Sequence, residues 1–247
     1  MKAIIVIAKT VLNLIYMLFK LFRTKDKITF LSRQSNVPSI DFKMLSEELK
    51  KQNPNVKIVM LTKKIEGGIK NKLSYGFHIF AQMYHVATSK VVIIDGYQIV
   101  ISVLKHKKKL KVIQIWHALG SLKKFGYSIL DKGEGSKKTV ADNMNMHKNY
   151  DAILSSSKIA KKNFAEAFNT DESKVLVMGL PRVDFLSKAT YKTQTIEKIK
   201  KEYPALDNNK KNILYVPTFR KNSEVNVVNI IENVDYSKFN LIIKFHS

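Results

Sequence analysis

The feature that most constrains this chain is the recurrence of short β-branched and aliphatic runs separated by stretches with helical spacing. Runs of this length, bounded by turn residues, read as strands, and the helical stretches between them supply the crossovers that parallel strands require. The strand candidates are Lys27 to Ser32, Val56 to Thr62, Lys90 to Asp95, Lys111 to Trp116, Ala152 to Ser156, Val175 to Met178, Asn212 to Val216 and Asn240 to Phe245. A helix is expected over Asp41 to Lys51, with Asp41 as its cap and Leu45 and Leu49 one turn apart. Another begins near Ser157, with Ile159, Phe164 and Phe168 on related faces. The pattern is that of an α/β fold.

At 247 residues the chain has room for one large domain or for one domain and part of another. Between Phe185 and Asn212 it turns polar around a short lysine-rich helix and the Tyr203-Pro204 break, which marks a connection. The expected organisation is a membrane-associating helix over 1–24, a Rossmann-like domain over 25–187, a connection over 188–210 and the start of a second nucleotide-type fold over 211–247. One strand, one helix and one strand fill that last segment, half of a mononucleotide-binding fold.

Residues Ala3 to Phe22 are almost wholly apolar and about as long as a membrane span, but Lys9 and Lys20 interrupt them. On a helical wheel Lys2, Lys9, Asn13, Tyr16 and Lys20 share one narrow stripe, which suits a helix lying in a bilayer interface. Arg23, Lys25 and Lys27 follow, where they could meet anionic headgroups on the cytoplasmic side. Two rival readings are a helix packed against the first domain and a secretory signal; no small-residue cleavage site follows the stretch.

Charge points to a polyanionic neighbour: 43 Lys and Arg against 20 Asp and Glu leave a net charge of +23. No nucleic-acid-reading module accompanies it, so nucleic acid is not an expected partner. The basic Lys105 to Lys111 run reads as a solvated loop. Cysteine is absent, which excludes disulfides, thiolate metal sites and cysteine nucleophiles. No carboxylate or histidine cluster has metal-ligand spacing, and no cofactor is expected.

In an open α/β sheet ligands bind beyond the carboxyl ends of the strands. Four such positions stand out. His117 ends the Ile113-Gln114-Ile115-Trp116 run, where an imidazole can take a proton from an alcohol or simply hydrogen-bond its loop. Lys123 and Lys124, between Gly120 and Gly126, combine charge with backbone freedom, as a phosphate-binding loop does. Arg182, in Gly179-Leu180-Pro181-Arg182-Val183-Asp184, and Arg220, in Pro217-Thr218-Phe219-Arg220, would aim guanidinium forks at a common cleft, although Asp184 offers Arg182 an ordinary ion pair. His246, beyond the Leu241 to Phe245 run, repeats the placement of His117.

Together these segments resemble the CDP-glycerol glycerophosphotransferase family of teichoic-acid primases and polymerases, ribitol-phosphate members included. The family pattern runs Trp-His-Gly, Lys-Lys-x-Gly, Gly-x-Pro-Arg-x-Asp, Pro-Thr-Phe-Arg and Lys-x-His-Pro, and the same order holds here from Trp116 to Ser247. Ala118 and Leu119 replace the commoner Gly-Thr, and Ser247 the usual proline. The resemblance implies a glycosyltransferase-B-like architecture with a Rossmann-like amino-terminal domain on the acceptor side and an incomplete second Rossmann-like domain for the donor. It implies CDP-glycerol or CDP-ribitol as donor, a lipid-linked teichoic-acid acceptor, release of CMP, and work at the cytoplasmic face of the cell membrane, on an anionic surface. By matching motif, His117 is the implied general base, Arg220 and His246 the donor pyrophosphate contacts, and Lys123, Lys124, Arg182 and Thr218 further substrate contacts. The family's remaining donor elements would lie beyond Ser247, so the alternatives are a non-catalytic, truncated remnant that binds membrane or polymer, and a nucleotide-sugar glycosyltransferase of the same fold.

Overall fold

Each apolar run becomes a strand, and among the described residues every pairing between strands is parallel. The computed structural model describes residues 2–65, 67–133, 135–217 and 227–245, in two compact units, Met1–Asp184 and Phe185–Ser247. The first contains α1 (Lys2–Lys20), β1 (Lys27–Ser32), α2 (Ile40–Gln52), β2 (Lys57–Thr62), α3 (Ile69–Thr88), β3 (Val91–Ile94), α4 (Ile99–Val103), β4 (Lys111–Gln114), α5 (Lys138–Asn143), β5 (Ala152–Ser155), α6 (Lys158–Phe168) and β6 (Val175–Val177), and α7 (Pro181–Ser187) begins in it. The second contains α8 (Ala189–Glu202), β7 (Lys211–Tyr215), α9 (Val228–Asn233) and β8 (Phe239–Ile243), with β7 and β8 paired. Thr218, Arg220 and His246 lie outside the described residues.

The larger sheet has six strands in the order β2-β1-β3-β4-β5-β6. Successive side chains of a strand alternate between faces, and both faces here are covered. Phe30 and Ile93 join Phe42, Leu45 and Leu49 of α2 on one side, with the Phe30 and Phe42 rings 4.9 Å apart. Leu31, Val92 and Ile94 join Met83 and Val86 of α3, Ile101 of α4 and Phe164 and Phe168 of α6 on the other. Each such side chain, removed from water, contributes about 1.5–3 kcal/mol to the fold. The chain order reverses between β1 and β3, so the crevice of the sheet opens where those two strands end.

Two helix starts show how local signals were resolved. Ser39, not Asp41, caps α2: its hydroxyl accepts from the Phe42 amide at 3.3 Å. Both residue types cap well, and the choice leaves the Asp41 carboxylate free for a partner distant in sequence. Ser157 caps α6 by accepting from the Ala160 amide.

From Lys9 to Lys20 the stripe of α1 faces the protein rather than water. Lys9 Nζ donates to the Asn143 carbonyl at 2.7 Å and Lys20 Nζ to that of Lys105 at 3.1 Å. Asn13 donates to the Val103 carbonyl at 3.0 Å and accepts the Lys105 amide at 2.9 Å. Tyr16 is 1% exposed, with its hydroxyl 3.0 Å from His106 Nδ1. Because His106 Nε2 lies 2.8 Å from the Ile101 carbonyl, which can only accept, Nδ1 is the acceptor for Tyr16. The basic run after α4 is therefore a docking loop and not merely solvated: the stripe bonds the carbonyl and amide of Lys105, and Lys107 Nζ adds a bond to the Phe22 carbonyl.

The consequence is an inverted amphipathic helix. Ile4, Ile7, Leu14, Leu18 and Leu21 are 58–83% exposed along its outer face. On α3, which packs against α1, Ile69, Leu73, Phe77 and Phe80 form a second exposed apolar stripe at helical spacing.

Candidate functional site

The carboxyl ends of β1, β3 and β4 converge on one cavity of about 470 Å³. Its walls include Arg33 after β1, Tyr97 after β3, Trp116 and His117 after β4, and Ser136 and His147 from the long segment before β5. Gln114, fully buried in β4, ties two of these loops together: its amide nitrogen donates to the Gly96 carbonyl and its oxygen accepts the Trp116 amide. A Cβ at Gly96 would stand 2.9 Å from Gln34 Nε2 and 3.8 Å from His117 Nδ1, which shows how closely the two loops approach there.

Trp116 has φ +61, a conformation bulky residues rarely adopt. The turn sends its indole back onto the core, stacked on Phe125 at 4.4 Å and edge-on to Phe168 at 5.3 Å, and lets His117 emerge beside it. His117 Nδ1 lies 2.7 Å from the Asp95 carbonyl. A carbonyl only accepts, so Nδ1 carries the proton and Nε2 keeps its lone pair. Burial lowers the imidazole pKa from its ordinary value, and the charges of Arg182 and Arg33 add to that effect. The ring is thus a neutral base with a fixed tautomer, the state a proton acceptor needs.

Arg182 reaches this site through a partner other than Asp184. Its backbone amide and Nε donate to the two oxygens of Asp41 at 2.9 and 2.6 Å, Nη2 bonds Asp41 as well, and Nη1 donates to the His117 carbonyl at 2.8 Å. The side chains of Arg182 and Asp41 are 22% and 4% exposed. The guanidinium fork therefore binds the loop that carries His117 to the first turn of α2. Arg182 itself sits in the first turn of α7, not in an open turn, because Pro181 is preorganised for a helix start.

Lys123 and Lys124 are exposed and line a different depression of about 220 Å³, beside Asn163 and Glu166 of α6. Residues that the strand-end survey passed over complete the His117 cavity. Arg33 stands 5.2 Å from the centre of the Tyr97 ring. Burial pushes the Tyr97 hydroxyl up to about 12, and that hydroxyl donates to the Met144 carbonyl at 3.3 Å. His147 is 5% exposed, pushed down to about 3 by burial, and bonded through Nδ1 to the Tyr150 hydroxyl at 3.0 Å. The Asp95 carboxyl, 2% exposed, is pushed up to about 6, chiefly by burial. Arg33 and Tyr97 follow strand ends directly, and the rule that found His117 reaches them when applied to β1 and β3. Nothing local marks Asp41 or His147.

Comparison with known proteins places this geometry. The family model described as CDP-Glycerol:Poly(glycerophosphate) glycerophosphotransferase matches residues 14–245. The teichoic acid ribitol-phosphate primase of Bacillus spizizenii is 35% identical over 195 residues, which cover 79% of this chain and 50% of that protein. The teichoic acid poly(ribitol-phosphate) polymerase of the same organism is 33% identical over 224 residues, 90% of this chain and 35% of that one. The teichoic acid glycerol-phosphate primase of Bacillus subtilis is 33% identical over 143 residues, 58% of this chain and 36% of the relative. The chain spans half or less of the length of these relatives. A solved structure of the wall teichoic acid polymerase TagF superposes with a TM-score of 0.65 at 19% identity, covering 99% of this chain and 64% of that one. That likeness shows the fold, which is Rossmann-like and of the glycosyltransferase-B type.

Proposed function

Because the chain belongs to the CDP-Glycerol:Poly(glycerophosphate) glycerophosphotransferase family, we propose that it carries the acceptor side of a transferase that moves glycerol phosphate or ribitol phosphate from a CDP-alditol to a lipid-linked teichoic-acid acceptor. The observation that carries the reading is His117, whose Nδ1–H is committed to the Asp95 carbonyl so that Nε2 is left as the base. An acceptor hydroxyl attacks the phosphorus that bears the alditol. A new P–O bond forms, the bond to the CMP oxygen breaks, the hydroxyl proton passes to Nε2, and CMP leaves with the electron pair. Catalysis of such a transfer rests mainly on positioning and on positive charge near the transferring oxygens. Arg182 contributes by holding the His117 loop through its carbonyl. Arg220, His246 and Thr218 are proposed donor contacts in the second unit, and Lys123 and Lys124 a basic approach for a polyanionic substrate.

The test is release of CMP from CDP-glycerol and CDP-ribitol in the presence of a short lipid-linked acceptor. His117→Ala is expected to lower kcat by about 100-fold or more, the range of a positioned general base, with little change in the KM for the CDP-alditol. An unchanged rate in that variant would sink the base assignment, and turnover of UDP-sugars in place of CDP-alditols would sink the substrate class.

The same reading places the protein on the cytoplasmic face of the cell membrane. Support comes from the two outward apolar stripes of α1 and α3, from a helix long and apolar enough by composition to cross a bilayer, and from Arg23, Lys25, Lys70 and Lys72 flanking them. The bonding of the α1 stripe to the protein supports a helix that lies against the bilayer rather than across it. Flotation with vesicles containing anionic lipid is expected to carry the wild type and to lose the Leu14→Glu/Leu18→Glu variant. Equal flotation of the two would refute the surface.

A further inference from the structure

One charged side chain in the His117 cavity has no role in the mechanism above. Arg33 leaves β1 at the point where the strand order reverses, the place where open α/β sheets bind ligands. Its guanidinium carbon lies over the Tyr97 ring, 5.2 Å from the ring centre. Among the described residues no carboxylate pairs with it, and it is the only Lys, Arg, Asp or Glu among the described residues that line the cavity. The remaining lining is aromatic, aliphatic and neutral polar, including Tyr97, Trp116, Gln34 and Ser136. A half-buried guanidinium with no carboxylate partner among the described residues, in a pocket whose ~470 Å³ falls in the ordinary range for small ligands, suits an anion. Its charge is felt across the pocket, lowering the pKa values of His117 and His147 alongside burial.

We propose that Arg33, braced on Tyr97, binds a phosphate of the acceptor's alditol-phosphate chain while the terminal alditol lies beside His117. The inference rests on the acceptor-side reading of this unit and adds to it the residue that recognises the acceptor's charge. A planar fork suits a tetrahedral phosphate, which it can bind through two parallel N–H donors. The aromatic and hydroxyl groups around it suit the C–H faces and hydroxyls of a polyol. Holding the last phosphate of the chain at Arg33 would confine the adjoining hydroxyl near Nε2 of His117, so that binding energy from a non-reacting part of the substrate becomes orientation at the reacting one. A phosphate here could equally come from the CDP-alditol, and the experiment separates the two sources.

The experiment compares wild type, Arg33→Gln, Arg33→Lys and His117→Ala. Binding of sn-glycerol 3-phosphate, with uncharged glycerol as control, is followed by NMR line shifts in the pocket, and the KM values for a glycerol-phosphate oligomer acceptor and for CDP-glycerol are measured separately. Arg33→Gln is expected to weaken glycerol phosphate binding and to raise the acceptor KM by on the order of tenfold or more, since hydrogen bonds to charged groups are among the stronger ones. The KM for CDP-glycerol should not move. Arg33→Lys, which keeps the charge but loses the fork, should fall between, and its fold can be checked by its circular dichroism melt. His117→Ala should keep binding glycerol phosphate, so loss of turnover through a failed base assignment is distinguishable from loss of this site. Unaltered glycerol phosphate affinity in Arg33→Gln overturns the proposal, as does a rise confined to the KM for CDP-glycerol, which would assign the phosphate to the donor.

Discussion

Replacing Arg182 by Met removes the Nε and Nη2 donors from Asp41 and leaves a carboxylate whose side chain is 4% exposed with the backbone amide of residue 182 as its remaining donor from that partner. Removing one member of a buried ion pair costs about 3–5 kcal/mol, mostly because the other charge stays buried without compensation. Against a total of about 5–15 kcal/mol for a domain of ordinary stability, Arg182→Met should consume a large part of the margin. With a urea slope of about 2 kcal/mol/M, the midpoint should fall by roughly 2 M. The chain's single tryptophan, Trp116, adjoins the His117 loop, so its fluorescence reports on this unit. The informative partner is Asp41→Asn/Arg182→Met, which removes both charges while keeping an amide to face α7. It should recover most of the lost stability, since a buried pair is often worth little against a neutral replacement. Both variants lose the Nη1 donor to the His117 carbonyl, so the double variant should fold yet release CMP more slowly than wild type. A loss below about 1 kcal/mol in Arg182→Met, or a double variant no more stable than the single one, would refute the claim that this pair is a buried, coupled unit.

Three further outcomes are expected. Gly126→Ala should destabilise by about 2 kcal/mol or more, because φ is +57 and the new Cβ would sit 2.2 Å from the Ala167 carbonyl oxygen; Gly96→Ala should cost less than about 1 kcal/mol, because the atom it meets is the end of an exposed glutamine. Urea melts of the two variants side by side check the contrast. The acid limb of kcat/KM should lie below the ordinary histidine value of ~6.5, since burial and then the charges of Arg182 and Arg33 keep His117 neutral to lower pH. Removing the charge in Arg33→Gln should move that limb upward, and a limb that moves down in the pH–rate profile would contradict the electrostatic reading. Tyr16→Phe should cost about 1 kcal/mol by stranding the part-buried Nδ1 of His106, measured as a drop in melting temperature; no change would mean that the hydroxyl does not dock α1.

Much of the fold was legible before the structure because its signals are short-range. Runs such as Val91-Val92-Ile93-Ile94 can bury both faces only as inner strands, and the helical spacing between runs implies parallel crossovers. The rule that ligands gather at strand ends was enough to select His117. Where the local code was degenerate, it left alternatives open. Ser39 and Asp41 can each cap a helix, Arg182 has Asp184 two residues away, and a polar stripe on an apolar helix satisfies water or protein equally well on paper.

Those ambiguities were settled by contacts between segments far apart in the chain. Asp41 lies 141 residues from Arg182, and Asn13 lies 90 from the Val103 carbonyl it binds. The cavity itself follows from strand order: β3 lies on the side of β1 opposite β2, and that arrangement sets Arg33 over Tyr97 and Asp95 beneath His117. By itself the sequence determined the strands, the helices between them and the histidine at one strand end, since each depends on neighbours a few residues away. Only the tertiary structure decided which charge faces which, because desolvation and hydrogen-bond geometry are properties of the packed neighbourhood and not of the local pattern.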